Sequence, residues 1–391
     1  MTAVSFFPAV LAVLLALATS RLLVWRFGAP PLQGRFAAID GLRGYLAFFV
    51  FLHHACVWYF YSHGLPWQAP PSHLYNHFGQ SAVALFFMIT AFLFWSKLLD
   101  GKRNGIDWRQ LYQSRLTRLL PLYWTVLAAL LLVLAWRSGF AWQVPWQSQL
   151  GPLLSWLWFT AGGMPDLNGV ANTAQMVAGV TWSLPYEWLF YLLLPLAGWR
   201  MRIDLPRWAW LVALAAVVWW LLWRPDRLSM LFFLGGITAA YAVRRPAFCQ
   251  WAQGGVASGL VLLLLGLTVW LFPGLHDLPG KWLKYVPLLL LSLAFVLIAA
   301  GNSLFGLLHL PVSRMLGEVS YSMYLWHSLL LYLALQHFWP AAQVAAWTPQ
   351  QFWLAALALV PLLVLWCYAS FRLIEAPPMN WLKRRRAQPN P

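Results

Sequence analysis

Residues 119–136 read LLPLYWTVLAALLLVLAW, eighteen residues without a charged side chain. A helix needs about 20 predominantly apolar residues to span the hydrocarbon core of a bilayer, so this run predicts a transmembrane helix. Strands of a membrane barrel would show alternating segments of about ten residues, and the run does not alternate.

Apolar runs of this kind recur along the 391-residue chain, which is 61% hydrophobic and 9% charged. Soluble domains carry about 25% charged residues. A chain this apolar cannot cover its surface with polar groups, which excludes a soluble globular fold, intrinsic disorder and, despite the net charge of +16, a nucleic-acid binder. We therefore expect an all-α, polytopic membrane bundle whose surroundings are the lipid bilayer.

The distribution of Lys and Arg predicts the threading, because basic residues collect in cytoplasmic loops. The first run, 5–20, has no basic residue before it and is followed by Arg21 and Arg26, which indicates an uncleaved helix with its N-terminus outside. Loop 97–118 and the tail around 383–386 are rich in basic residues and are placed inside. The predicted spans are 5–20, 44–62, 80–98, 119–136, 180–198, 208–223, 228–243, 255–273, 285–301, 315–337 and 351–374.

Segment 149–163 is apolar but short, and it is framed by Pro145, Pro152 and Gly162. If it crossed the membrane, Arg200 and Arg202 would lie outside. We expect it to be re-entrant, which leaves about ten core helices plus one extra at the N-terminus. Of the 26 basic residues, Arg35 and most others are then inside. The five outside are Arg137, Arg224, Arg227, Lys281 and Lys284.

Ionisable residues inside a span are costly and each is a functional hypothesis by default. Arg43 and His54 are eleven residues apart, so on one helix they lie roughly 16 Å apart on nearly the same face. This arrangement suits a phosphorylated cytoplasmic donor, with Arg43 at its phosphate and His54 as general base. His53 points roughly 100° away. The alternative for His54 is a structural histidine bonded to a neighbouring helix.

Two further groups qualify. Glu187 lies after Pro185, which we expect to loosen the helix inside the membrane. Three roles are open to the Glu187 carboxylate: it would orient the histidine, bind an acceptor hydroxyl, or brace an arginine of another helix. Arg115 and Arg118 share a helix face and suit a phosphate of the donor, although lipid headgroups are the alternative. Trp67, Trp156 and Trp158 are candidates for stacking on sugar rings.

Six stretches, in order along the chain, resemble the motifs of the acyltransferase 3 family. They are DGLRG (40–44) with LHHA (52–55), FFMITAFL (86–93), RLTRLLPLY (115–123), WSLPYEWLFY (182–191), SYSMYLWH (320–327) and IEAPP (374–378). The pattern departs from many members at Glu187, which is followed by Trp188 rather than by a second glutamate.

The resemblance implies a bacterial inner-membrane O-acyltransferase that takes an acyl group, often acetyl, from cytoplasmic acyl-CoA. The acceptor would be a hydroxyl of a lipid-linked or periplasmic glycan, and no metal is implied. It divides the chain into an extra helix at 1–30, a membrane domain at 35–378 and a basic cytoplasmic tail at 379–391. Catalysis would fall to His54 and Glu187, and donor binding to Arg43, Arg115 and Arg118. A glycan or lipid transporter is the main alternative, because midplane polar sites also suit transporters.

Overall fold

A computed structural model describes residues 2–31, 36–275 and 282–387, with side chains as far as Arg385. Arg35, Lys281 and the end of the predicted tail, 388–391, lie outside the described residues. The chain divides into two compact units, Met1–Lys97 with Arg227–Trp366 and Leu98–Asp226 with Cys367–Pro391.

The described residues are mostly helical and contain no strand, which confirms the predicted all-α class. In chain order the helices are α1 (Phe6–Phe27), α2 (Ala37–Ser62), α3 (His73–Asn104), α4 (Trp108–Arg137), α5 (Leu150–Leu157), α6 (Thr173–Met176), α7 (Leu184–Arg200), α8 (Arg207–Trp223), α9 (Arg227–Ala242), α10 (Pro246–Ala252), α11 (Gly255–Leu271), α12 (Tyr285–Ala299), α13 (Pro311–Glu318), α14 (Ser320–Leu333), α15 (Ala341–Ala345), α16 (Pro349–Ser370) and α17 (Ala376–Ala387).

Five helical stretches of the described chain are long and apolar enough to cross a membrane: α1, α2, α3, α4 and the continuous stretch Pro349–Arg385. A sixth is formed if α10 and α11, which are bent by 74°, count as one span. Helices α8, α9 and α12 are apolar but shorter. The multi-pass helical bundle is therefore confirmed, whereas the total of eleven crossings and the side of each loop stay predictions.

Segment 149–163 contains only α5, whose eight residues extend for about 12 Å and are too short to cross a bilayer. The chain then turns through left-handed conformations at Phe159, Thr160 and Asn168. Asn168 ties this segment together, since its amide nitrogen Nδ2 donates to Ser138 Oγ at 2.9 Å and its backbone N–H donates to Gln149 Oε1 at 2.8 Å. Re-entry into the membrane stays a prediction.

In the first unit, α2 packs unusually closely against the chain around α13. A Cβ atom on Gly41 would lie 2.1 Å from the carbonyl oxygen of Leu308, and one on Gly317 would lie 1.8 Å from the carbonyl oxygen of Asp40. A Cβ on Gly44 would meet the backbone nitrogen of Gly317 at 2.6 Å. Small residues allow membrane helices to approach in this way. The glycines of the DGLRG motif thus set the position of α13, and of α14 after it, relative to α2.

Candidate active site

Arg43 and His54 lie on the same uninterrupted helix, α2. The predicted placement of both residues on one helix face requires such a continuous helix. The Arg43 side chain is largely covered, with 17% of its surface exposed, and its Nη2 forms an ion pair of 3.0 Å with Oδ1 of Asp40 one turn before it. Asp40 is 41% exposed. The guanidinium is therefore oriented by its own motif, and an incoming phosphate would share it with Asp40.

His54 is half-buried and contacts His327 of α14. Its Nδ1 lies 3.0 Å from Nε2 of His327, which is hydrogen-bond distance, and the two ring planes are inclined by 26° with their centroids 5.2 Å apart. The partner is 273 residues away along the chain. His54 is therefore bonded to a neighbouring helix, as the structural alternative proposed, but its partner is a second ionisable ring.

His327 is completely buried and held by its own helix. Its Nδ1 lies 2.8 Å from the carbonyl oxygen of Met323, one turn earlier, and the hydroxyl of Ser328 lies 3.1 Å from its Nε2. His327 has no role among the sequence-based predictions. The cue that singles out His54, a histidine within an apolar run, applies equally to His327 in run 315–337.

His53 has a different environment from His54. Its Nδ1 hydrogen-bonds the carbonyl oxygen of Tyr75 at 2.8 Å. Its ring lies against Gly79, where an added Cβ would be 2.7 Å from the imidazole carbons. His53 therefore links α2 to α3, and its ring also packs edge-on against the His54 ring with the centroids 4.9 Å apart.

Glu187 and Arg115 belong to one polar network in the second unit. The Tyr191 hydroxyl donates a hydrogen bond to Oε1 of Glu187 and accepts one from the Arg115 guanidinium. Tyr112 adds a bond from its hydroxyl to the carbonyl oxygen of Tyr191 at 3.1 Å. Among the three roles considered for Glu187, this network favours the bracing of an arginine of another helix. His54 belongs to the first unit, and the alternative in which Glu187 orients the histidine stays a prediction.

One detail of this region differs from expectation. Helix α7 begins at Leu184, so Pro185 occupies its first turn, where a missing N–H costs no intrahelical bond. The prediction that Pro185 loosens a helix interior is therefore wrong, and Glu187 lies in the first turn. Arg118 is half-buried and lies close enough to Arg115 for the two charges to repel each other.

Trp156 is also not the surface ring that the sequence suggested. It is 1% exposed, and its indole nitrogen donates to the carbonyl oxygen of Pro165 at 2.9 Å. Its own carbonyl accepts a bond of 2.5 Å from the Tyr123 hydroxyl. Trp158 is 70% exposed and Trp67 packs edge-on against Trp58, so Trp158 has the most accessible ring of the three candidates.

A cavity of about 470 Å³ lies in the second unit among α4, α7, α8 and residues 158–162. Its lining is almost entirely apolar and aromatic, with Leu120 and Trp124 from α4 and Trp188 and Leu192 from α7. Sites of this size usually accept an organic ligand. A wall without charged side chains fits a hydrocarbon chain rather than a sugar.

Comparison with known proteins places this geometry in context. The family model of acyltransferase 3, described as an acyltransferase domain, matches residues 36–372. The chain belongs to the acyltransferase 3 family. The match begins one residue before α2, so it contains the histidine pair and both arginine groups, while α1 precedes it.

Within the acyltransferase 3 family, one similar protein is the exopolysaccharide production protein ExoZ of Rhizobium meliloti (strain 1021). It is 27% identical over 264 residues, which cover 65% of this chain and 77% of ExoZ. No solved structure matches the chain significantly. Membership of the acyltransferase 3 family identifies the protein as a multi-pass membrane acyltransferase.

Proposed function

We propose that the protein is an O-acyltransferase that moves an acyl group, acetyl in the first instance, from cytoplasmic acyl-CoA to a hydroxyl of a lipid-linked or periplasmic glycan. The observation that carries the proposal is His54, an imidazole on a membrane helix with one ring nitrogen bonded to His327. The other ring nitrogen is then available to a substrate. An imidazole is well suited to general base catalysis near neutral pH.

The reaction needs a base because a hydroxyl is a poor nucleophile. His54 Nε2 takes the proton of the acceptor hydroxyl while the hydroxyl oxygen bonds to the acyl carbon. The carbon–sulfur bond of the thioester then breaks, and the leaving thiolate receives the proton from His54. The products are an ester of the glycan and the free thiol of coenzyme A, so atoms and charge balance.

Arg43 supports the choice of a phosphorylated donor. It lies about three turns from His54 on the same helix, roughly 16 Å away, and a guanidinium fork binds phosphate well. A donor with phosphates at one end and a thioester at the other would contact both residues of α2. Arg115 and Arg118 of the second unit are proposed to bind phosphate, and Glu187 would act through Tyr191 on Arg115.

Two findings support the acceptor class. ExoZ is named for exopolysaccharide production, which favours a polysaccharide or its lipid-linked precursor as the acceptor. The apolar cavity beside α4 and α7 suits the lipid part of such a precursor. The bacterial inner membrane, with the C-terminal tail in the cytoplasm, is the location where a cytoplasmic donor and an envelope glycan are both within reach.

The proposal is tested by incubating purified protein in nanodiscs with radiolabelled acetyl-CoA and cell-envelope glycan. We expect label to enter the glycan, His54→Ala to lose transfer by about 10²- to 10⁴-fold, the contribution of a positioned base, and His53→Ala to be milder. Absence of transfer by the unmodified protein, or loss in His53→Ala with retention in His54→Ala, would overturn it. Uptake of glycan into sealed vesicles without acylation would instead support a transporter.

A further inference from the structure

We propose that His327 is a positioning residue, which holds His54 in the tautomer that carries its proton on Nδ1 and leaves Nε2 free to act as the base. This inference rests on the proposed function of His54. It concerns a neutral imidazole, whose two nitrogens differ because one donates a hydrogen bond and the other accepts.

The protonation state of His327 follows from its contacts. Its Nδ1 lies 2.8 Å from the carbonyl oxygen of Met323. A carbonyl oxygen can only accept, so Nδ1 of His327 must carry the proton. Because the ring is completely buried, a second proton would place an imidazolium charge in an apolar interior, which is costly. His327 is therefore neutral, and its Nε2 is an acceptor.

The tautomer of His327 determines that of His54. Nδ1 of His54 lies 3.0 Å from Nε2 of His327. Since that Nε2 accepts, Nδ1 of His54 must donate and must carry the proton. The carbonyl oxygen of Val50, one turn earlier in α2, is a further acceptor for the His54 ring. The hydroxyl of Ser328, 3.1 Å from the same Nε2, is then also a donor. Nε2 of His54 is left with its lone pair, which is the form that a general base needs.

The contact between His54 and His327 also favours catalysis. When His54 takes the acceptor's proton, its ring becomes positively charged, and its bond from Nδ1–H to His327 becomes charge-assisted and stronger. An interaction that strengthens only as the reaction proceeds raises kcat rather than lowering KM. His327 thus acts through His54 without touching the substrate.

The test compares His327→Leu, which removes the acceptor, with His327→Gln, whose side-chain oxygen can replace Nε2. We expect His327→Leu to lower kcat by about 10²-fold, the lower end of a positioned base's contribution, with an unchanged KM for acetyl-CoA. His327→Gln should restore most of kcat. Adding His327→Leu to His54→Ala should cause no further loss.

The inference is overturned if folded His327→Leu transfers acetyl with the kcat of the unmodified protein. It is also overturned if folded His327→Gln is as slow as His327→Leu, or if His327→Leu lowers transfer further in the His54→Ala background. These outcomes are distinct from failure of the proposed function, in which the unmodified protein itself transfers no acetyl group.

Discussion

Replacing Gly317 by Ala tests whether backbone contact between α2 and α13 positions the histidine pair. The new Cβ would lie 1.8 Å from the carbonyl oxygen of Asp40, whereas ordinary contact begins at 3.4 Å. No side-chain rotation relieves this clash, because the carbonyl belongs to the backbone. The helices must separate by about 1.6 Å, and overpacking of this kind costs about 3 kcal/mol or more.

The same displacement would act on the site, since α14 follows α13 directly. Lengthening the 3.0 Å contact between His54 and His327 by even half of this displacement breaks it as a hydrogen bond. A misplacement of about 1 Å can cost roughly 10²-fold in rate. We therefore expect Gly317→Ala to lower the temperature of thermal inactivation. It should also slow acetyl transfer to glycan by about 10²-fold.

Gly266→Ala is the matched control, because a Cβ there would meet no atom within 4 Å. It lies in α11 of the same unit, and alanine is favoured over glycine in a helix by about 0.5–1 kcal/mol. It should therefore match or exceed the unmodified protein in thermal stability. If Gly317→Ala inactivates at the temperature of Gly266→Ala and transfers acetyl equally fast, close packing of α2 on α13 does not determine the site.

Three other predictions follow from the remaining elements. A topology reporter fused after Arg202 should read cytoplasmic, as the re-entrant placement of 149–163 requires, and a periplasmic reading would refute the threading from residue 150 onward. Arg43→Lys keeps the positive charge but loses the forked guanidinium. KM for acetyl-CoA should rise about tenfold, which corresponds to the loss of one charge-assisted hydrogen bond, while the protein inserts normally into the membrane. Unchanged donor binding would make Arg43 structural. Glu187→Gln and Tyr191→Phe should show a coupling of about 1 kcal/mol in thermal stability, because Tyr191 donates to Glu187, and additive effects would exclude the brace.

Much of the helical architecture could be predicted from apolar run length. Run 119–136 lies inside α4, and run 44–62 lies inside α2, since hydrophobic length is a property of the local chain and needs no partner. The register between Arg43 and His54 was predictable for the same reason, because both residues lie on one helix whose rise and twist are constant.

Helix starts within polar or proline-containing stretches were less predictable. The sequence around Pro185 fits a kinked span as well as a helix N-terminus, and the structure has the N-terminus. Trp156 has the composition of an interfacial ring, yet its indole is buried against Pro165. The start of α7 and the burial of Trp156 both depend on how residues 158–183 fold back. No hydrophobic periodicity within this segment predicts the course of its backbone.

The sequence alone determined that the protein is a helical membrane protein of the acyltransferase 3 family and that α2 carries a basic residue and a histidine on one face. Only the tertiary structure decided the partners of those residues. His54 meets His327 across 273 residues, and the Asp40 carbonyl faces Gly317. A polar group in an apolar interior must find a partner, but its identity depends on which helices pack together, and that is a property of the whole bundle.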